Sequence, residues 1–127
     1  QSFLQTEFKI ENVSLHPGRL LAVSLNKQKA QEGKRVHQKL TEEFPKSFRL
    51  IIVVDHWVTS SDELEVLFRL GNNIDPRRDS LISETTIGFD ATQKTEQEGF
   101  TREWPKDIVM DDATKQLVDR RWKEYGL

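Results

Sequence analysis

Apolar and polar positions along this chain fall into segments of clearly different period. Phe8 to Leu15 alternates apolar and polar side chains, which predicts a strand with one buried face pairing at a sheet edge. His16-Pro17-Gly18 breaks it, because proline lacks a backbone donor and glycine admits positive φ. Leu20 to Leu25 is nearly continuous apolar and predicts a strand covered on both faces. From Lys27 to Phe44 helix formers dominate, with Ala30, Val36, Leu40 and Phe44 as a partial apolar stripe, Gly33 weakening the first turns and Pro45 stopping the helix.

Phe48 to Val54 is β-branched and almost uninterrupted, the strongest strand in the chain, and it ends at Asp55. Ser60 followed three residues later by Glu63 has the form of a capping box, predicting a helix that buries Leu64, Leu67 and Phe68 and ends at Gly71-Asn72-Asn73. Leu81-Ile82 and Ile87-Gly88-Phe89 are short candidate strands, and the polar stretch Thr92 to Gly99 reads as a surface loop. Asp111 or Asp112 caps a final helix in which Leu117, Val118, Trp122 and Tyr125 share a face. The alternation of strand and helix predicts an α/β fold: a three-layer sandwich with a small, mostly parallel sheet flanked by helices, plus a C-terminal helix.

At 127 residues the chain fits one domain, 1–127. Its 35% hydrophobic residues, even with the 6 glycines added, stay below the roughly 45–50% apolar content of an ordinary globular domain. Either the surface is unusually charged, or this is a piece of a larger protein whose missing partner surface completes the core. A first residue of Gln1 rather than Met agrees with the second expectation. The net charge of −2 provides no field for nucleic acid. No apolar run approaches the roughly 20 residues of an integral membrane segment, and no signal-peptide pattern opens the sequence. The absence of cysteine removes disulfides and thiolate metal sites and suits a cytoplasmic location.

No glycine-rich phosphate loop and no nucleophile elbow occurs. His16, His37 and His56 lack metal-ligand spacing; His37 reads as solvated and His16 as packing in a turn. Asp55-His56-Trp57 follows the central strand, where open α/β sheets place ligands. These three could serve a self-contained small-molecule-binding or enzymatic domain. Alternatively, Asp55 satisfies backbone donors in the turn while Trp57 packs beneath it. Asp75-Pro76-Arg77-Arg78-Asp79 sets two cations between two anions, either as a local ion-pair network or as a clamp across a domain boundary. Arg102-Glu103-Trp104 poses the same choice, because Arg and Trp anchor buried interfaces. Gly88 and Asp90 mark a bend with an Asx-type turn. A terminal helix carrying Trp122 and Tyr125 must dock, on its own domain or on another subunit.

Taken in order, several segments resemble the tail of the UbiD-type decarboxylases. Leu21-Ala22-Val23-Ser24-Leu25 is similar to that family's L-A-V-x-x-x-K strand, Gly33-Lys34-Arg35-Val36 to its G-x-A-[KR] helix, and Ile52-Val53-Val54-Asp55 to its I-V-V-D. His56 and Trp57 stand where the family has further aspartates. Ile74 to Asp79 resembles R-x-x-P-x-[RK]-D, Gly88-Phe89-Asp90-Ala91-Thr92 resembles G-[ILF]-D-A-T, and Arg102-Glu103-Trp104 resembles R-E-W. The resemblance implies that the chain is the C-terminal fragment of a carboxy-lyase acting on aromatic or α,β-unsaturated acids, with a place in ubiquinone or menaquinone biosynthesis. It also implies that prenylated FMN, with Mn or Mg and K ions, belongs to an upstream flavin-binding domain of the same chain, so no catalytic, cofactor-binding or metal-binding residue is carried over here. Homo-oligomer contacts are then expected at Arg77, Arg78, Arg102, Trp104, Leu117, Val118, Trp122 and Tyr125. The family's long loop before the G-[ILF]-D-A-T segment is reduced to Ser83 to Ile87, either by native shortening or because residues are missing.

Overall fold

A computed structural model describes residues 7–100, 102–106 and 111–126. Five strands form one sheet in the order β1-β2-β3-β5-β4. They are β1 (Ile10–His16), β2 (Leu20–Leu25), β3 (Leu50–Asp55), β4 (Ser80–Ile82) and β5 (Ile87–Asp90). The two central pairings, β2 with β3 and β3 with β5, are parallel, and each edge pairing is antiparallel. The sheet is therefore evenly mixed rather than mostly parallel. The short connections explain this: β1 reaches β2 through a tight turn in which Gly18 and Arg19 take positive φ, and such a turn joins only antiparallel neighbours.

Alternation along β2 and β3 sorts the core into two layers. Leu21, Val23, Leu25, Ile51 and Val53 pack with Phe8, Val36 and Leu40 under helix α1 (Glu32–Glu43). Ala22, Ile52 and Val54 pack with Val58, Val66 and Ala91 under helix α2 (Glu63–Asn73). This is the expected three-layer α/β sandwich. A short helical turn, α3 (Pro76–Asp79), leads into β4, and α4 (Asp112–Arg120) is the C-terminal helix.

Several expectations need correction. The first helix starts at Glu32, not Lys27; Gln31 at its N-cap holds a left-handed backbone, and Lys27 is drawn into the fold elsewhere. His37 is buried rather than solvated, because the neighbouring strand offers only Gly88 beneath it. Asp62, not Ser60, caps α2, accepting from the Glu65 amide at 3.1 Å. The buried Ser60 hydroxyl instead lies 2.7 Å from Ser14 Oγ. Helix α2 buries Val66, Arg69 and Asn73, with Leu70 and Ile74 packed alongside, and leaves Leu64 80% exposed and Leu67 and Phe68 half-exposed. Both stripes have helical spacing, and the sheet selected the one opposite to expectation. The 92–99 segment is also not a plain surface loop, since Thr92, Lys94 and Glu98 are buried.

Candidate functional site

The carboxyl edge of the central strands is the place where an open α/β sheet would hold a ligand. Here it holds a network of the chain's own charges. Lys94 Nζ donates to the Asp90 carbonyl at 2.7 Å and to the Thr92 carbonyl, and lies 3.6 Å from Asp90 Oδ1 and 3.8 Å from Asp79 Oδ2. Lys27 Nζ donates to Thr92 Oγ1 (3.1 Å), the Gln93 carbonyl (2.5 Å) and Glu98 Oε1 (2.7 Å). Glu98 Oε2 accepts from the Gln31 amide at the start of α1. Asp90 Oδ1 accepts from the Thr92 amide and hydroxyl, which is the expected Asx turn.

Burial pushes the Lys94 ammonium below its ordinary range, with Asp90 and Asp79 opposing the shift. Burial pushes the other way at Asp79 and Glu98, raising both carboxyls. At Asp79 the Arg78 guanidinium, the Asp75 amide and Lys94 outweigh that effect. At Glu98 the Lys27 ammonium and the Gln31 and Thr95 amides do so. Both carboxyls end below their usual range and stay charged. Both lysines are committed to internal acceptors, so neither offers a free ammonium to a flavin phosphate. Among the described residues no group of three His, Asp or Glu side chains could hold a metal ion.

Asp55, His56 and Trp57 do not converge. Asp55 is buried, its Oδ2 accepts from the Gln93 amide at 3.0 Å, and burial raises its carboxyl despite that bond. His56 and Trp57 are exposed, with rings 5.0 Å apart edge to face. Asp55 thus takes the structural role of the second alternative, whereas Trp57 is not packed beneath it but 52% exposed. His16 donates from Nε2 to the Ser60 carbonyl at 2.7 Å, tying the end of β1 to the turn before α2.

Among the expected contact residues, Arg78, Arg102 and Trp104 line one cleft of about 360 Å³ together with Asn72, Asp75 and Phe100. Asp79 grips the Arg78 guanidinium through two bonds, 2.7 and 2.8 Å, while Arg77 lies exposed outside the cleft. The Arg102 guanidinium covers the Phe100 ring at 5.6 Å, and Phe100 and Trp104 rings are 4.7 Å apart. Leu117, Val118, Trp122 and Tyr125 lie on α4 and the following 3₁₀ turn (Trp122–Tyr125), no residue of which is buried. Sequence reasoning missed the buried Lys94 and Glu98 and the largely enclosed Lys27; the local signal for Lys94 and Glu98 was their closeness to the Gly88–Thr92 motif, and Lys27 had none of that kind.

Among the described residues no helix is long and apolar enough to cross a membrane. The family described as 3-octaprenyl-4-hydroxybenzoate carboxy-lyase C-terminal domain matches residues 2–111. A protein of Aquifex aeolicus is 39% identical over 93 residues, covering 61% of this chain and 19% of the relative. One of Aeropyrum pernix is 33% identical over 96 residues, covering 62% and 20% respectively. The chain thus spans about a fifth of the length of these relatives. An evolved dimeric form of the UbiD-class enzyme HmfF from Pelotomaculum thermopropionicum, in complex with prFMN, is similar with TM-score 0.68 and 24% identity, over 84% of this chain and 24% of that one. The vanillic acid decarboxylase of Sedimentibacter hydroxybenzoicus in its open form is similar with TM-score 0.74 and 18% identity, over 98% and 31%. At these identities the two structures speak for the fold.

Proposed function

The chain belongs to the 3-octaprenyl-4-hydroxybenzoate carboxy-lyase C-terminal domain family, and from that premise we propose that it is the structural and oligomerisation domain of a UbiD-type decarboxylase. The non-oxidative decarboxylation of an aromatic or α,β-unsaturated acid then takes place in an upstream domain of the same protein, which holds prenylated FMN and its metal ions. A role in quinone biosynthesis and a cytoplasmic setting belong to the same proposal, the first drawn from the family's described substrate and the second from the absence of cysteine.

One observation carries this reading. The strand ends that would form a ligand crevice are closed by Lys27, Lys94, Asp79, Asp90 and Glu98, while large apolar side chains stand exposed on the outer helices. A domain arranged this way offers surfaces for docking rather than a pocket for chemistry.

Light scattering on the purified chain, paired with visible-absorbance titration of prenylated FMN, tests the proposal. A dimer or larger species that leaves the flavin spectrum unchanged is expected. Micromolar flavin binding by this chain, or a strict monomer at high concentration, would count against it.

A further inference from the structure

The cleft at the end of α2 carries hydrogen-bond donors that the fold does not use. Asn72, Asp75 and Arg78 line one wall, and Phe100, Arg102 and Trp104 line the other. Among the described residues the Arg102 guanidinium has no acceptor, and its centre lies 5.6 Å from the centroid of the Phe100 ring. Stacking of this kind occupies the flat face of the ion. It leaves free the in-plane N–H fork, the edge that takes a carboxylate through two parallel bonds. Arg78 commits Nε and Nη2 to Asp79 and keeps Nη1 in reserve. The exposed Asn72 amide makes only a long contact, 3.4 Å, with Asn73.

The rest of the lining selects among anions. Phe100 and Trp104 rings stand 4.7 Å apart with planes tilted by 49°, so they make an apolar wall beside the fork rather than a closed stack. Charge at the cleft is nearly balanced. Asp79 neutralises Arg78, and Asp75, held by the Arg77 and Arg78 amides, adds a negative charge to the same lining as Arg102. A single carboxylate needs one cation and finds it, whereas a phosphate dianion meets Asp75 with charge left over. Acetate gains the fork and nothing from the rings. The volume of about 360 Å³ lies at the small end of ligand pockets, about 300–1,000 Å³, and admits one ring with its carboxylate.

We infer that this cleft binds a monocyclic aryl carboxylate, with the carboxylate on the Arg102 fork and the ring against Trp104. Arg78 Nη1 and the Asn72 amide supply further donors at its mouth. The inference stands on the cleft itself and does not depend on the oligomerisation reading above. Because the fork is exposed and the ligand small, the dissociation constant falls near ~1 mM.

Benzoate is the probe. The 3 tryptophans of the 127-residue chain each give an indole N–H signal in 1H–15N correlation spectra, and Trp104→Phe identifies the one at the cleft. Benzoate is expected to move the Trp104 indole saturably while those of Trp57 and Trp122, which do not line the cleft, stay in place. Arg102→Gln should raise the dissociation constant about tenfold or more, the size of a lost charge-assisted pair. Arg102→Lys, which keeps the charge and loses the fork, should raise it several-fold, and the exposed Arg77→Gln should leave it unchanged. Benzamide, the neutral isostere, should bind about tenfold more weakly than benzoate. Backbone signals far from the cleft report whether each variant folds, and if Arg102→Gln does not, Arg102→Lys and benzamide decide the matter. No movement of the Trp104 indole at ~20 mM benzoate, well above that constant, or an unchanged constant in Arg102→Gln, would overturn the inference. Acetate or inorganic phosphate moving that indole as far as benzoate at equal concentration would overturn it as well, leaving a plain anion site.

Discussion

Gly88 lies in the middle of β5, paired with Ile51 on one side and Leu81 on the other, directly beneath α1. A Cβ built on it would sit 1.8 Å from His37 Cδ2 and 2.3 Å from Nε2. An ordinary carbon contact is about 3.5–4.0 Å, so Gly88→Ala requires the ring or the helix to move by roughly 2 Å. The imidazole is enclosed, so α1 itself must lift, loosening Val36 and Leu40 from the layer they share with β2 and β3. Overpacking of this kind costs about 1–3 kcal/mol, and because the His37 ring that must move is itself buried, this case falls near the top. Alanine's advantage over glycine in a strand returns at most ~1 kcal/mol, leaving a net loss of about 2 kcal/mol. His37→Ala alone also destabilises, by opening a void, but it makes room for the methyl group. The double variant should therefore be more stable than the two single losses predict, with a coupling of about 1–2 kcal/mol. Urea unfolding followed by tryptophan fluorescence, at one protein concentration since any self-association would add to apparent stability, measures the cycle. Losses that add within about 0.5 kcal/mol would refute the packing argument.

Lys94→Met removes the cation between Asp79 and Asp90 and should cost about 3–5 kcal/mol in urea unfolding, against less than about 0.5 kcal/mol for the exposed Lys115→Met; comparable small losses would remove the buried network from the account. Burial holds His37 below its ordinary 6.5, so as pH falls through that value the unfolded chain gains a proton the folded one does not. Stability should decline from about pH 7 downward by up to about 1.4 kcal/mol per pH unit, and His37→Gln should flatten that limb. Asp79 and Glu98, held below 3.8 and 4.5, stabilise above those values and lose their contribution as pH falls through their folded pKa, with Asp55, displaced upward, offsetting part of the acid loss. Asp62→Ala should cost about 1 kcal/mol and speed amide exchange in the first turn of α2, whereas Ser60→Ala should leave that turn's exchange unchanged.

The central strands are legible because their apolar runs are unbroken: Leu20–Leu25 and Leu50–Asp55 face a helix on each side and need no polar alternation. The face of α2 was not legible, since Val66, Leu70 and Ile74 compete with Leu64, Leu67 and Phe68, and the choice depends on how the strand's exit turn orients the helix. His37 was misread for a non-local reason, because its burial is set by a glycine on a strand about fifty positions away. Lys94 was read in a surface loop and is buried, and Lys27 is largely enclosed beside it, because carbonyls of Asp90, Thr92 and Gln93 and three carboxylates converge there only after the sheet forms. Among the expected contact residues, Arg78, Arg102 and Trp104 come together at one cleft, and nothing in the spacing separated Arg77, which lies outside it, from Arg78.

Gly33 and the charge network act on the same junction. A Cβ at Gly33 would lie 2.5 Å from the Asp90 carboxyl, so glycine allows the start of α1 to close down on the end of β5. Glu98, bonded both to the Gln31 amide and to Lys27, fastens the 92–99 segment to that same helix start. Strand, helix and connecting segment are thereby locked at the sheet's carboxyl edge. The same junction reaches the periphery: the Asn73 bond to the Ala91 carbonyl ties the end of α2 to it, and the Arg78–Asp79 pair ties the cleft of Phe100 and Trp104 to it. The buried charges thus hold the start of α1, the end of β5 and the 92–99 segment in one geometry.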